Sequence, residues 1–145
     1  MPVRRKSRDA KVELLGGVSL FSACSRRELA RIASLADEIA VPAGRVLIHQ
    51  GKPGSEFFII VSGKANVSAR GKRARTIGPG SGFGEMSLLD QGPRSATVTA
   101  QSDMYLLVLD SRSFFSLIDE VPSVASKIFR VMAARVRAAE PGEVH

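Results

Sequence analysis

Glycine and proline punctuate residues 38–109 at such close intervals that mostly short elements fit between them. The intervening β-rich runs are Ile39–Val41, Val46–His49, Phe57–Ser62, Ala65–Ala69, Ala74–Ile77, Ala96–Ala100 and Met104–Leu109. The breaks are Pro42-Ala-Gly44, Gly51-Lys-Pro-Gly54, Ser62-Gly63, Arg70-Gly71 and Gly78-Pro-Gly80-Ser-Gly82. This spacing predicts an antiparallel sandwich or barrel. Glycine supplies the positive φ that the tight corners require.

Helical patterns flank this region. Ser25 followed by Glu28 has capping-box spacing. Leu29, Ile32, Ala33 and Ala36 then recur at helical intervals, and the helix is expected to fade near Asp37. Upstream lie an apolar stretch (Val12, Leu14, Leu15, Val18, Leu20, Phe21) and, at residues 1–11, a basic tail expected to be mobile. Downstream, Ser111–Ile118 carries Phe114, Phe115, Leu117 and Ile118, and Pro122 suits the first turn of a further helix. In that helix Val124, Ile128, Phe129, Val131, Met132 and Val136 share one face, opposite Lys127, Arg130 and Arg137. Arg135 falls on the apolar side and breaks the pattern. Pro141-Gly142 is expected to end the helix, leaving residues 141–145 as a loose tail and residues 12–140 as the folded domain.

At 145 residues the chain has the size of one domain. With 44% hydrophobic and 24% charged residues it has ordinary globular composition, which argues against disorder. The longest apolar runs, Phe57–Val61 and Tyr105–Leu109, fall far short of the roughly 20 residues of a membrane helix. The single cysteine, Cys24, excludes an internal disulfide and a multi-cysteine metal site. No secretory h-region follows the basic start, and a cytoplasmic location is expected. The net charge of +7 concentrates at residues 1–11, 70–75 and 127–137. A surface of this kind favours anionic partners, or serves only for solubility.

The segment from Gly82 to Val98 reads as an anion site. Gly82 and Gly84 permit close backbone approach, and Glu85–Leu89 has the length of one short helix whose first N–H groups attract phosphate. Arg94 offers a planar fork of donors for two phosphate oxygens, and Ser95 adds a hydroxyl. Glu85 would repel a bare phosphate, so it calls for a donor such as a sugar hydroxyl. The plainer alternative is a glycine-rich loop with an Arg94–Glu85 ion pair.

Phe83-Gly84-Glu85-Met86-Ser87-Leu88-Leu89 and Pro93-Arg94-Ser95-Ala96-Thr97-Val98 closely resemble the phosphate-binding cassette of cyclic-nucleotide-binding domains. The resemblance covers about residues 14–138. It includes Leu20-Phe21, Val41-Pro-Ala-Gly44, Gly51-Lys-Pro-Gly54, Phe57-Phe-Ile-Ile-Val-Ser-Gly63 and Gly78-Pro-Gly80 in family order. It implies an eight-stranded antiparallel β-roll, mainly β, with an N-terminal helix, a short cassette helix and C-terminal helices. The implied binding residues are Phe83, Gly84, Glu85, Met86, Ser87, Arg94, Ser95 and Ala96. Arg94 would neutralise the cyclic phosphate. The backbone of Gly84, Glu85 and Met86, with the Ser95 hydroxyl, would hydrogen-bond it, and Glu85 would take the ribose 2′-hydroxyl. Serine after the arginine resembles bacterial cAMP binders and favours cAMP over cGMP.

No catalytic constellation stands out. His49 lies in a predicted strand, His145 in the tail, and Cys24 has no evident base beside it. The family resemblance implies a regulatory sensor, not an enzyme, with ligand binding passed to an unknown effector through residues 111–139. No helix-turn-helix, channel or kinase segment accompanies the motif, and the Met-Pro-Val start favours a stand-alone chain over a fragment. Two alternatives remain: a nucleic-acid binder using the basic patches, which lack interleaved aromatics, and an interaction domain with a vestigial nucleotide site.

Overall fold

The computed structural model describes residues 7–139. The chain runs α1 (Arg8–Gly16), a 3-10 turn (Ser19–Phe21), α2 (Arg26–Ala33), β1 (Asp37–Val41), β2 (Val46–Ile48), β3 (Glu56–Ser62), β4 (Ala65–Ser68) and β5 (Arg75–Ile77). It continues with β6 (Gly82–Phe83), α3 (Glu85–Asp90), β7 (Thr97–Ala100), β8 (Met104–Asp110), α4 (Ser111–Glu120) and α5 (Pro122–Ala139). The strands form two four-stranded sheets, ordered β1-β8-β3-β6 and β2-β7-β4-β5, and every pairing is antiparallel. This is the expected eight-stranded roll between terminal helices.

The two longest apolar runs become β3 and β8, which pair with each other. Both are buried on both faces, which is why they read as continuous hydrophobic stretches. Phe57 and Ile59 of β3, with Leu107 and Leu109 of β8, face a core built with Leu15, Phe21, Ile32, Phe114 and Val124 from the helical elements. Phe58 and Ile60, with Leu106 and Met104, face the roll interior beside Ile48, Phe83, Val98 and Ala100. Phe58 stacks on Phe83 with ring centroids 5.0 Å apart.

Three boundaries differ from expectation. Arg8–Lys11, assigned to a mobile tail, are helical: Ser7 caps α1 by accepting from Ala10, and Val12 and Leu15 bury its inner face. Lys11 Nζ also donates to the Ala36 carbonyl at 3.3 Å. The rest of the predicted tail, residues 1–6, and the predicted stop at Pro141-Gly142 lie outside the described residues. Second, α2 ends at Ala33, because Asp37 already pairs with Val108 as the start of β1. Third, β6 is too short to show a period and emerges only through its pairing with β3.

The predicted capping box forms at α2. Ser25 Oγ accepts from the Glu28 amide at 3.1 Å, and Glu28 Oε1 accepts from the Ser25 amide at 2.7 Å. The Glu28 side chain does more than cap. Its second oxygen accepts from Ser123 Oγ at 2.5 Å, and Lys127 Nζ donates to Oε1. Lys127, expected on the solvent side, thus bonds the start of α5 to α2. Burial alone would raise the Glu28 carboxyl, but hydrogen bonds from Lys127, Ser123 and Ser25 outweigh it and hold the group at about 2.

The ionised Glu28 therefore stabilises the fold fully above its unfolded value of about 4.3, and that stabilisation is lost as pH falls towards 2. Glu28→Gln is expected to cost about 1–3 kcal/mol at pH 7. The wild-type advantage in thermal midpoint should then shrink between pH 4.5 and 2. A gap of constant size from pH 7 to pH 2.5 would mean that charge is not what Glu28 contributes.

Candidate functional site

Pro93 forms an isolated antiparallel bridge with Pro53, so the Gly51–Gly54 turn runs beside the residues leading into β7. The Arg94 amide donates to the Lys52 carbonyl at 2.8 Å, and the Gly51 amide donates to the Arg94 carbonyl at 2.9 Å. These bonds fix the Arg94 backbone. Its side chain is 5% exposed. Nη1 donates to the Glu56 carbonyl at 2.8 Å and approaches the Gly84 carbonyl at 3.5 Å. Nη2 lies 3.9 Å from the Glu56 carboxylate. Burial lowers the guanidinium's pKa and Glu56 opposes that shift. An arginine nevertheless stays cationic at neutral pH.

Two glycines make room for this buried cation. A Cβ on Gly54 would stand 2.0 Å from Arg94 Nε and 2.3 Å from its Cζ. A Cβ on Gly84 would stand 2.6 Å from Nη1, and Gly84 has φ +85°, a conformation suited to glycine. Gly84 is also the N-cap of α3, so the same residue clears the guanidinium and starts the helix. The leading N–H groups of such a helix have no helical acceptor. The far end of α3 is held by Ser111, whose buried hydroxyl donates to the Leu88 carbonyl at 2.7 Å. That bond ties α3 to the first residue of α4.

All eight sequence-predicted site residues, Phe83, Gly84, Glu85, Met86, Ser87, Arg94, Ser95 and Ala96, line one cavity of about 540 Å³. That volume lies in the range of small-molecule sites. Ile48, Val67, Ile77 and Val98 of the second sheet add apolar lining. Arg75 also lines it, which separates Arg75 from the rest of the basic 70–75 cluster. Val18 and Ser19 close one side.

A family model described as the cyclic nucleotide-binding domain matches residues 38–121. This chain belongs to that family. The cyclic AMP receptor protein of Thermus thermophilus is 35% identical over 129 residues, 86% of this chain and 60% of the relative. A cyclic nucleotide-gated potassium channel of Mesorhizobium japonicum is 36% identical over 137 residues, 94% of this chain and 38% of the channel. The N-terminal domain of a transcriptional regulator from Streptomyces coelicolor has the same fold, with a TM-score of 0.79 at 28% identity. That match covers 91% of this chain and 98% of that domain. The chain thus spans three fifths or less of the receptor and the channel.

In this cyclic nucleotide-binding domain the alternative Arg94–Glu85 ion pair does not form. Arg94 faces Glu56, and Glu85 Oε1 instead accepts from Arg135 Nη1 of α5 at 2.5 Å. A second Arg135 nitrogen donates to Ser19 Oγ. In the sequence Arg135 stands out only as a break in the apolar face of α5. The sequence marks Gly54 as a turn residue within a family landmark and carries no sign of the clearance it gives Arg94. Glu56, which acts on Arg94 mainly through its backbone, left no signal. Cys24 is half-buried, and burial with the nearby Glu28 charge pushes its thiol up to about 11. It therefore stays protonated at neutral pH and is a poor nucleophile. His49 is exposed just beyond β2.

Gly54→Ala tests how tightly the cation is seated. A carbon atom needs roughly 3.5 Å from its neighbours, so the guanidinium should move by about 1 Å or more in a crystal structure of the variant. An unmoved Arg94 would mean that the Gly51–Gly54 turn yields instead.

Proposed function

We propose that this domain is a non-enzymatic sensor that binds a cyclic nucleotide, cAMP in preference to cGMP, and passes the event to an effector through α4 and α5. The observation that carries the reading is the buried Arg94 guanidinium, lining the same cavity as Glu85 and the start of α3. Arg94 takes the cyclic phosphate, helped by the backbone of Gly84, Glu85 and Met86 and by the Ser95 hydroxyl. Glu85 accepts from the ribose 2′-hydroxyl. Ile48, Val67, Ile77 and Val98 give the base an apolar wall. Ser95 and the relatives named for cAMP support the choice of base.

Transmission through the C-terminal helices is supported by their covalent and packing path from the cassette. Ser111 joins α3 to α4 directly, and α4 leads through Val121 into α5. A ligand that prefers one arrangement of α3 shifts these helices by its differential affinity for the two arrangements.

Thermal unfolding with cAMP and cGMP tests the reading. At ~100 times its dissociation constant a ligand adds about 2.7 kcal/mol, which raises the midpoint by several degrees. Arg94→Gln should weaken cAMP by roughly 100-fold or more, because charged hydrogen bonds contribute about 1.5–3 kcal/mol each. Glutamine is the better probe than glutamate, whose charge would face Glu56 in a buried site. Glu85→Ala should weaken cAMP more than 2′-deoxy-cAMP. Full cAMP affinity in Arg94→Gln, or equal losses for both ligands in Glu85→Ala, would remove the assigned roles.

A further inference from the structure

Arg135 sits on α5, where the helix packs on the Ser19–Phe21 turn, and it is 36% exposed at its side chain. It is the residue that interrupts the apolar face of α5. Its two terminal nitrogens are spent on two partners from distant parts of the chain, Glu85 Oε1 at 2.5 Å and Ser19 Oγ. Glu85 and Ser19 both line the cavity; Arg135 does not. One oxygen of the Glu85 carboxylate is therefore engaged from outside the cavity, towards α5.

We infer that Arg135 competes with the ligand's 2′-hydroxyl for Glu85, and so sets both the affinity and the ribose selectivity of the site. This rests on the cyclic-nucleotide reading and adds a residue that the reading does not contain. Glu85 has one carboxylate and, on this reading, two claimants: Arg135 on α5 and a ribose in the cavity. Turning it into the cavity towards a ribose draws it away from Arg135, and neutralising it on Arg135 makes it a weaker acceptor for a hydroxyl. By linkage, whatever the ligand takes from the Glu85–Arg135 pair, loss of Arg135 returns to the ligand. The energy at stake is that of a half-exposed ion pair.

The test compares cAMP and 2′-deoxy-cAMP on wild type and Arg135→Gln by isothermal titration at low salt. The variant should bind cAMP roughly three-fold more tightly, with 2′-deoxy-cAMP nearly unchanged, so that ribose selectivity rises. Arg135→Lys, which keeps the charge, should restore most of the wild-type ratio. In a Glu85→Gln background Arg135→Gln should change nothing. Amide exchange of residues 131–139 should quicken when cAMP binds the wild type, and be fast beforehand in Arg135→Gln. Weaker cAMP binding by Arg135→Gln would make Arg135 a support of the site and overturn competition. Equal tightening for both ligands would place its effect away from Glu85 and also overturn it. In both cases the cyclic-nucleotide reading stands, whereas wild type that binds neither ligand would end both.

Discussion

A guanidinium taken almost wholly out of water is the interaction on which this structure turns. Burying a charge is costly unless its donors are satisfied. Arg94 meets part of that requirement through Nη1, which donates to the Glu56 carbonyl and approaches the Gly84 carbonyl, while the Glu56 carboxylate balances its charge from 3.9 Å. Each need shapes a neighbouring element. Gly54 must be bare of a Cβ, the chain before α3 adopts positive φ at Gly84, and the first residue of β3, Glu56, turns its carbonyl to the guanidinium. The cassette is therefore shaped around a buried cation whose position is fixed by the protein itself. Preorganisation of this kind spares a ligand the cost of ordering its partner.

The same cassette is joined to the helices by the buried Ser111 hydroxyl and by Arg135 at the surface. The helix α5 is consequently secured near both ends. Glu28 bonds Ser123 and Lys127 at its start, and Glu85 with Ser19 bonds Arg135 near its finish. The two attachments differ in kind. Glu28 is buried and caps α2, so breaking it disturbs a helix terminus. Glu85 is 27% exposed at its side chain and lines the cavity, so its bond lies within reach of an incoming ligand.

Much of this was legible in the sequence, and what was not has physical reasons. The strands of the roll were marked by glycine and proline breaks, and the α2 capping box by Ser25 and Glu28. The cassette was readable because its residues are contiguous and each type has a chemical reason to stand there. Residues that act through the backbone, such as Glu56, leave no mark on side-chain pattern. Gly54 was visible but ambiguous, since a turn glycine and a clearance glycine look alike until the third dimension brings Arg94 over it. Arg135 was visible as an error in the helical period, yet its partners lie 50 and 116 residues away. Residues 8–11 read as tail because Arg8, Asp9 and Lys11 are charged, although they form the first turn of the helix that buries Val12 and Leu15.

The strands β3 and β8 separate two compartments, and successive residues along each belong alternately to one and the other. Phe57 and Ile59 belong to the helical core, Phe58 and Ile60 to the roll interior. Inserting or deleting one residue in either strand would exchange the two sets at once, since side chains alternate with a period of two. The fold tolerates a register shift in this pairing between Ile60 and Ser62, near the end of β3. Changes in length along this lineage should therefore gather in the turns and at that irregular end, while the central pairing of β3 with β8 keeps its count of residues unaltered.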